Sequence, residues 1–193
     1  MSTVAVPTRR VLADVVSPSR FADAGLVVAG ATLTGLLAQI SIPLGFTPVP
    51  LTGQTLGVML AGAALGWRRA TAALSLYVVA GILGVPWFAG HASGYPAATF
   101  GYLLGFIVAG AVLGRLAASG ADRTVGRAIA SMVAGELTIF AFGVTWLALD
   151  LHVSAAQALA LGLSPFVAGE LIKVGLCGIA LPTTWRLVDR TPR

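Results

Sequence analysis

PFVAGELIKVGLCGIALPTTWRL, residues 165–187, is an apolar run whose only charges before its terminal Arg186 are Glu170 and Lys173. Crossing a bilayer as a helix takes about 20 mostly apolar residues at about 1.5 Å each, because lipid offers the backbone no hydrogen-bond partner. The run meets that length, so it reads as a transmembrane helix with a polar pair set into it. Lys173 is the only lysine of the chain, and helical rise places it about 13 Å inward from the start of the run. Facing lipid, it would cost about 2.5–3.5 kcal/mol. It is therefore expected to face the bundle interior, with Glu170 three residues earlier on the same helix face, where the two can pair or share a ligand.

Five further apolar segments lie upstream, at 24–42, 54–66, 70–83, 99–118 and 128–149. Four of the six are long enough to span alone. Segments 54–66 and 70–83 would each cover only about 20 Å at helical rise, so neighbours must shelter them. Gly53, Gly57, Gly62, Gly66, Gly81 and Gly84 supply the small surfaces by which helices approach closely in membrane bundles. The expectation is an all-α polytopic bundle of six transmembrane helices over 24–187. Tails at 1–23 and 188–193 flank it, and no domain boundary divides it.

Positive residues on short connections stay on the cytoplasmic side, and their placement checks the segment count. Arg9, Arg10 and Arg20 precede the first segment and Arg68 and Arg69 separate the second from the third. Arg115, Arg123 and Arg127 lie between the fourth and fifth, and Arg186, Arg190 and Arg193 follow at the end. The connections 43–53, 85–98 and 150–164 carry no Lys or Arg. Six alternating helices with both termini cytoplasmic, in a cytoplasmic (inner) membrane, account for this pattern. Trp87 and Trp146 near outer ends and Trp67 and Trp185 near inner ends fit aromatic belts.

Composition excludes an ordinary soluble domain: 57% of residues are hydrophobic and 10% charged, where a soluble chain carries about a quarter charged. The net charge of +5 does not point to nucleic acid, because eleven of the twelve basic residues sit in tails or short connections as topology determinants. Lone Cys177 reads as packing. Residues 1–23 hold no continuous apolar core of a signal peptide; the stretch 11–16 could form a short interfacial helix or stay a simple tail. No G-x-x-x-x-G-K-[ST], H-E-x-x-H or G-x-S-x-G occurs, and His91 and His152 fall in outer connections, so neither ATP hydrolysis by a P-loop nor intramembrane hydrolysis is expected. No enzyme activity, cofactor or metal is expected.

Further candidates come from the neighbouring helices and loops. Glu136 in the fifth segment is a second isolated carboxyl that could approach Lys173, in either a structural or a functional role. The outer connections 42–52, with Pro43, Pro48 and Pro50, and 85–98, with Pro86, Trp87, Phe88, His91, Tyr95 and Pro96, form a proline-stiffened apolar lid. Such a lid suits a small ring-bearing ligand better than an ion. In the first segment, Ala31 with Gly35 and Gly30 with Thr34 and Ala38 give two small-residue registers. They serve either ordinary packing within the chain or, at Ala31 and Gly35, the docking of a partner membrane protein.

Three stretches resemble the BioY family, the biotin-specific S components of energy-coupling-factor (ECF) transporters. They are IPLGFTPVPLTGQTLGVMLAGAALG (42–66), YVVAGILGVPWFAG (77–90) with GYLLGF (101–106), and FGVTWLAL (142–149) with PFVAGELIKVGL (165–176). The resemblance implies a six-helix substrate-capture subunit that takes biotin from outside. Its implied partners are a transmembrane coupling subunit and cytosolic ATPases, although some members occur without them. Carried over by position, the family's acid-x-x-Lys motif falls on Glu170 and Lys173 as ligand-binding residues, with Gln54, Trp87, Phe88 and His91 completing the pocket. The family usually has Asp at the position of Glu170, and the 90–101 connection here is shorter than its counterpart; Thr99 and Tyr102 are the expected contacts from that region.

Biotin pairs a neutral bicycle bearing a ureido edge with a valerate tail ending in a carboxylate. Glu170 can accept from ureido N–H and Lys173 can donate to the ureido oxygen, with the tail toward the loops; the opposite orientation places the carboxylate on Lys173. Two readings from other classes stand beside this one. A self-sufficient secondary carrier would couple biotin or another small vitamin to protons through Glu136 or Glu170, and a structural subunit would bind no ligand.

Overall fold

The computed structural model describes residues 11–16 and 19–190. A single turn, α1 (Ala13–Val16), precedes α2 (Arg20–Ala38), whose start is capped by the Ser19 hydroxyl accepting from the Ala22 N–H at 3.3 Å. A two-residue antiparallel ribbon follows, Ser41 opposite Thr52 and Ile42 opposite Leu51. It replaces the last turn expected of the first segment, which ends at Ala38 and not at 42. The ribbon returns the chain to the start of α3 (Gln54–Ile82).

α3 is interrupted at Gly66, where φ is 76° and ψ is 164°. In a straight helix Gln54 and Tyr77 would stand about 35 Å apart, yet the Gln54 Nε2 donates to the Tyr77 hydroxyl at 2.6 Å. Gly30 of α2 likewise faces both Leu65 and Ala73. α3 is thus two antiparallel limbs reversing at one residue, which matches the two expected segments 54–66 and 70–83 but replaces the expected polar link with a single glycine. Only glycine takes this positive φ without strain, and a Cβ there would also press on Val11 at 3.1 Å.

α4 (Phe100–Ala118), α5 (Val125–Leu151), α6 (Ala155–Gly162) and α7 (Val167–Arg190) complete the chain. α3 packs on both α2 and α4, α4 on α5, and α7 closes against α5 and α3. Among the described residues, four stretches are long and apolar enough to cross a membrane: Arg20–Ala38, Ala97–Ala118, Val125–Leu151 and Ala155–Arg190. Their outward faces carry large apolar side chains such as Leu36, Leu137, Leu171, Leu176 and Ile179, as a lipid-facing surface requires.

Both expected tails are partly helical. Residues 13–16 form α1, with Val11 and Ala13 buried in the core, and α7 continues to Arg190. Arg69, just past the reversal of α3, pairs with Asp14 and Asp23 at 2.7 Å each, bracing α1 and α2 against it. Between α4 and α5, the Trp185 indole N–H donates to Asp122 at 2.6 Å, and the Arg123 guanidinium lies 3.3 Å over the same ring. The connection 150–164 is not a plain loop: it folds into α6 behind a capping box in which Ser154 and Gln157 bond each other's backbone.

The small-residue face of α2 is used within the chain. Ala31 is fully buried, and a Cβ on Gly35 would meet the Trp87 side chain at 3.1 Å. This is the internal-packing expectation; Ala31 and Gly35 present no open surface to a partner. The interior divides into two apolar clusters. One gathers Val11, Met59, Leu113, Met132 and Cys177 near the arginine-bearing ends. The other gathers Tyr77, Phe88, Tyr102, Phe106, Ile139 and Phe166 beneath the connections that lack arginine and lysine.

Candidate functional site

The site begins where the ribbon hands over to α3. Thr52 ends the second strand, Gly53 N–H bonds Ile40 O at 2.9 Å, and the first turn of α3 then aims Gln54 and Thr55 inward. Opposite this turn, Glu170 and Lys173 project from the first turns of α7. Lys173 Nζ donates to Glu170 Oε1 at 2.7 Å, to Thr55 Oγ1 at 2.8 Å and to the Thr52 carbonyl at 2.6 Å. Thr55 in turn donates to Glu170 Oε2 at 2.7 Å.

All three ammonium protons of Lys173 are therefore engaged, and both groups are largely withdrawn from the surface, with side-chain exposures of 13% for Lys173 and 10% for Glu170. A carboxylate has room for about four hydrogen bonds. Glu170 thus keeps acceptor capacity after pairing, whereas Lys173 keeps no donor.

Glu170 looks into a cavity of about 260 Å³. Its polar edge is Thr52, Gln54, Thr55 and Glu170, and its apolar walls are Phe88, Tyr102, Leu103, Phe106, Ile139, Phe140 and Phe166. Pro48, Val49 and Pro50 roof it from one connection, and Ala89, Ala92, Pro96 and Thr99 from another. A concave, mostly apolar pocket with a few convergent polar groups is the usual form of a small-molecule site.

Of the expected site residues, Gln54, Phe88, Thr99, Tyr102 and Glu170 line this cavity. Lys173, Trp87 and His91 are not on its wall. Lys173 stands behind Glu170. Trp87 packs over Gly35 and Tyr77, its indole N–H donating to Tyr77 O at 2.9 Å. His91 is exposed at φ 62°, its backbone N–H donating to Gln39 Oε1 at 3.0 Å.

Several residues of the site were not singled out from sequence. Thr55 bridges the ion pair. Tyr77, fully buried, receives Gln54 and supports Phe88 edge-on at a ring separation of 5.4 Å. Gln39 at the end of α2 donates to the carbonyls of Trp87 and Phe88 at 3.1 and 3.3 Å, so it clamps the second roof loop. Thr47 donates to Leu161 O at 2.9 Å and Tyr102 to Gly162 O at 2.7 Å, tying the first roof loop and α4 to α6. The S-x-x-Q pattern at 154–157, not picked out from the sequence, is the local signal that could have marked α6; nothing local marked Gln39 or Tyr77, whose roles arise from tertiary contact.

Glu136 on α5 is 6% exposed, and neither of its oxygens accepts from a donor among the described residues, while the Glu170 carboxyl lies within hydrogen-bonding reach. No group of three or more His, Cys, Asp and Glu that could hold a metal ion occurs among the described residues.

Comparison of the sequence with known proteins identifies a family. The sequence model of the BioY family matches residues 10–190. A biotin transporter BioY of Rhizobium etli is 37% identical over 149 residues, covering 72% of this chain and 78% of that protein. The biotin transporter BioY2 of Lactococcus lactis subsp. cremoris is 36% identical over 162 residues, covering 81% and 87%. The BioY of Thermotoga maritima is 41% identical over 140 residues, covering 71% and 80%. Among solved structures, the S-component for biotin from an ECF-type ABC transporter superposes with a TM-score of 0.76 at 20% identity, covering 91% of this chain and 96% of that one. At that identity the likeness speaks for the fold.

Proposed function

The chain belongs to the BioY family, and from that premise we propose that it captures biotin at the cavity beneath the arginine-free connections and serves as the substrate-binding subunit of an ECF-type transporter. The observation that carries this reading is the placement of one ion-paired carboxylate, Glu170, on the polar edge of an otherwise aromatic and aliphatic pocket. Burying an amide-like group without a partner costs about 2–7 kcal/mol. A ureido edge therefore needs an acceptor in such a pocket, and Glu170 offers one with lone pairs to spare. The apolar bicycle would pack among Phe88, Tyr102 and Phe106.

The saturation of Lys173 favours one of the two orientations. With its three protons on Thr52, Thr55 and Glu170, Lys173 has no donor left for a carboxylate. The ureido group lies at Glu170, and the valerate tail rises toward the roof loops. Lys173 then acts through Glu170, keeping it ionised and aimed.

In this reading six segments cross the inner membrane, α3 supplying two through its antiparallel limbs, with the arginine-bearing ends in the cytoplasm. The Arg distribution supports that orientation. Biotin enters through the roof, and a transmembrane coupling subunit with cytosolic ATPases energises release.

The test is titration of the purified full chain in detergent with biotin, thiamine and riboflavin. Saturable binding of biotin alone is expected. Binding of another vitamin in preference, or of none, removes the proposal. Co-purification with a coupling subunit tests the ECF assignment separately.

A further inference from the structure

Glu136 is a buried carboxyl that does not line the ligand cavity. It lies on α5 one turn inward of Phe140, four residues along the same helix face, and Phe140 lines the cavity. The ionisable groups facing it come from α7: the Glu170 carboxylate, the Lys173 ammonium paired with it, and the Cys177 thiol. No charged group of α3 or α4, which pack against the same region, acts on it among the described residues.

As an anion in this position, Glu136 would be bare. No donor reaches either oxygen, a second carboxylate stands against it, and the one nearby cation already has three acceptors. Burial of an ion on such terms is prohibitive, and the ordinary escape is to take up a proton. Ionisable groups retained inside a membrane bundle are, as a rule, functional.

We propose that Glu136 is a proton-binding site linked through Glu170 to the ligand cavity. With the proton in place, Glu170 is the single carboxylate on Lys173, and the cluster is neutral. Without it, two carboxylates compete for one ammonium and the cluster carries one net negative charge. Lys173 is then drawn off Thr52 and Thr55, the two residues that complete the cavity's polar edge. Ligand and proton therefore favour each other's binding, and by linkage the effect is reciprocal. Affinity falls as pH rises through the range in which Glu136 loses its proton. The link rests on reading the cavity as a biotin site; the proton site itself does not.

Infrared spectroscopy of the ligand-free full chain in deuterium oxide reads the proton directly. At neutral pH the wild-type protein should show a carboxylic-acid carbonyl band that is missing from both Glu136→Gln and Glu136→Met. Two uncharged replacements guard against one of them misfolding, and loss of the band on alkaline titration of the wild type needs no variant. Biotin titration then reads the link: from neutral pH to the pH at which the acid band is lost, the wild-type Kd should rise about fivefold or more, and that of Glu136→Gln less than about twofold. A spectrum with no acid band attributable to Glu136 overturns the proton site. Equal pH slopes in wild type and Glu136→Gln overturn the link. An acid band in a protein that ignores biotin at every pH upholds the proton site and overturns the reading of the cavity.

Discussion

The Lys173 ammonium lies 2.6 Å from the carbonyl oxygen of Thr52, a bond that joins the last helix to the end of the second strand, two residues before α3. The same ammonium holds Glu170 at 2.7 Å. One cation therefore fixes both ends of the cavity's polar edge, and it does so from behind the wall.

Lys173→Ala should leave Glu170 buried beside no cation. Breaking a buried pair from one side costs about 3–5 kcal/mol, so biotin affinity should drop by about a hundredfold or more, read by calorimetric titration. If Lys173 acts through Glu170, the double change with Glu170→Gln should cost far less than the sum of the single changes. Additive losses would show instead that Lys173 contacts the ligand itself.

Gln39 holds the roof loop by two carbonyls without touching the cavity. Gln39→Ala should speed biotin release by about tenfold, from loss of about 1–1.5 kcal/mol of hydrogen bonding in the closed loop, and leave association little changed. Stopped-flow displacement separates the two rates; a slowed association with unchanged release would contradict the clamp.

Gly35 gives the Trp87 ring its seat, with room for no Cβ closer than 3.1 Å. A Gly35→Val change drives the indole off α2 and costs about 1–3 kcal/mol by overpacking. A lowered melting temperature with weakened biotin binding is expected in detergent, and an unaltered protein would mean that the loop relaxes freely.

Asp122 is 1% exposed, and burial pushes its carboxyl above the usual carboxylate range despite its bond to Trp185 and the nearby Arg123 and Arg127. A raised native value means that the protonated form is the stabilised one. That stability is fully present below the unfolded value of about 3.9 and is lost as pH rises through the native one. Asp122→Asn, which still accepts from Trp185, should flatten this part of the pH dependence of the melting temperature. Asp122→Ala orphans the indole N–H and should cost about 1–3 kcal/mol at neutral pH.

The helical architecture and the ion pair were legible in the sequence because both follow from the hydrocarbon solvent. Apolar length shows as composition, and a lone Lys173 amid apolar residues must have a partner nearby. The reversal at Gly66 fell at the expected boundary, but hydropathy carries no backbone angle, so a three-residue link was read where one residue suffices. α6 is too short to register as a span, and its capping box at Ser154 and Gln157 was not picked out from the sequence. Thr55, Gln39 and Tyr77 were not singled out because a single polar residue has many local uses, and which one applies depends on a partner up to 118 residues away, as with Thr55 and Lys173. His91 and Trp87 were placed in the pocket by their loop; within that loop it is Phe88, Ala89 and Ala92 that meet the cavity.

The reversal of α3 also governs how the protein must be made. Where residues 54–65 and 67–82 turn back on each other, Gly66 packs against Val11 and its neighbour Arg69 is held by Asp14 and Asp23. The segment before the first long helix is thus a keystone. Shortening it for convenience of expression would loosen Gln54 from Tyr77 at the far end of the hairpin, so damage done at the arginine-bearing rim would be felt in the cavity.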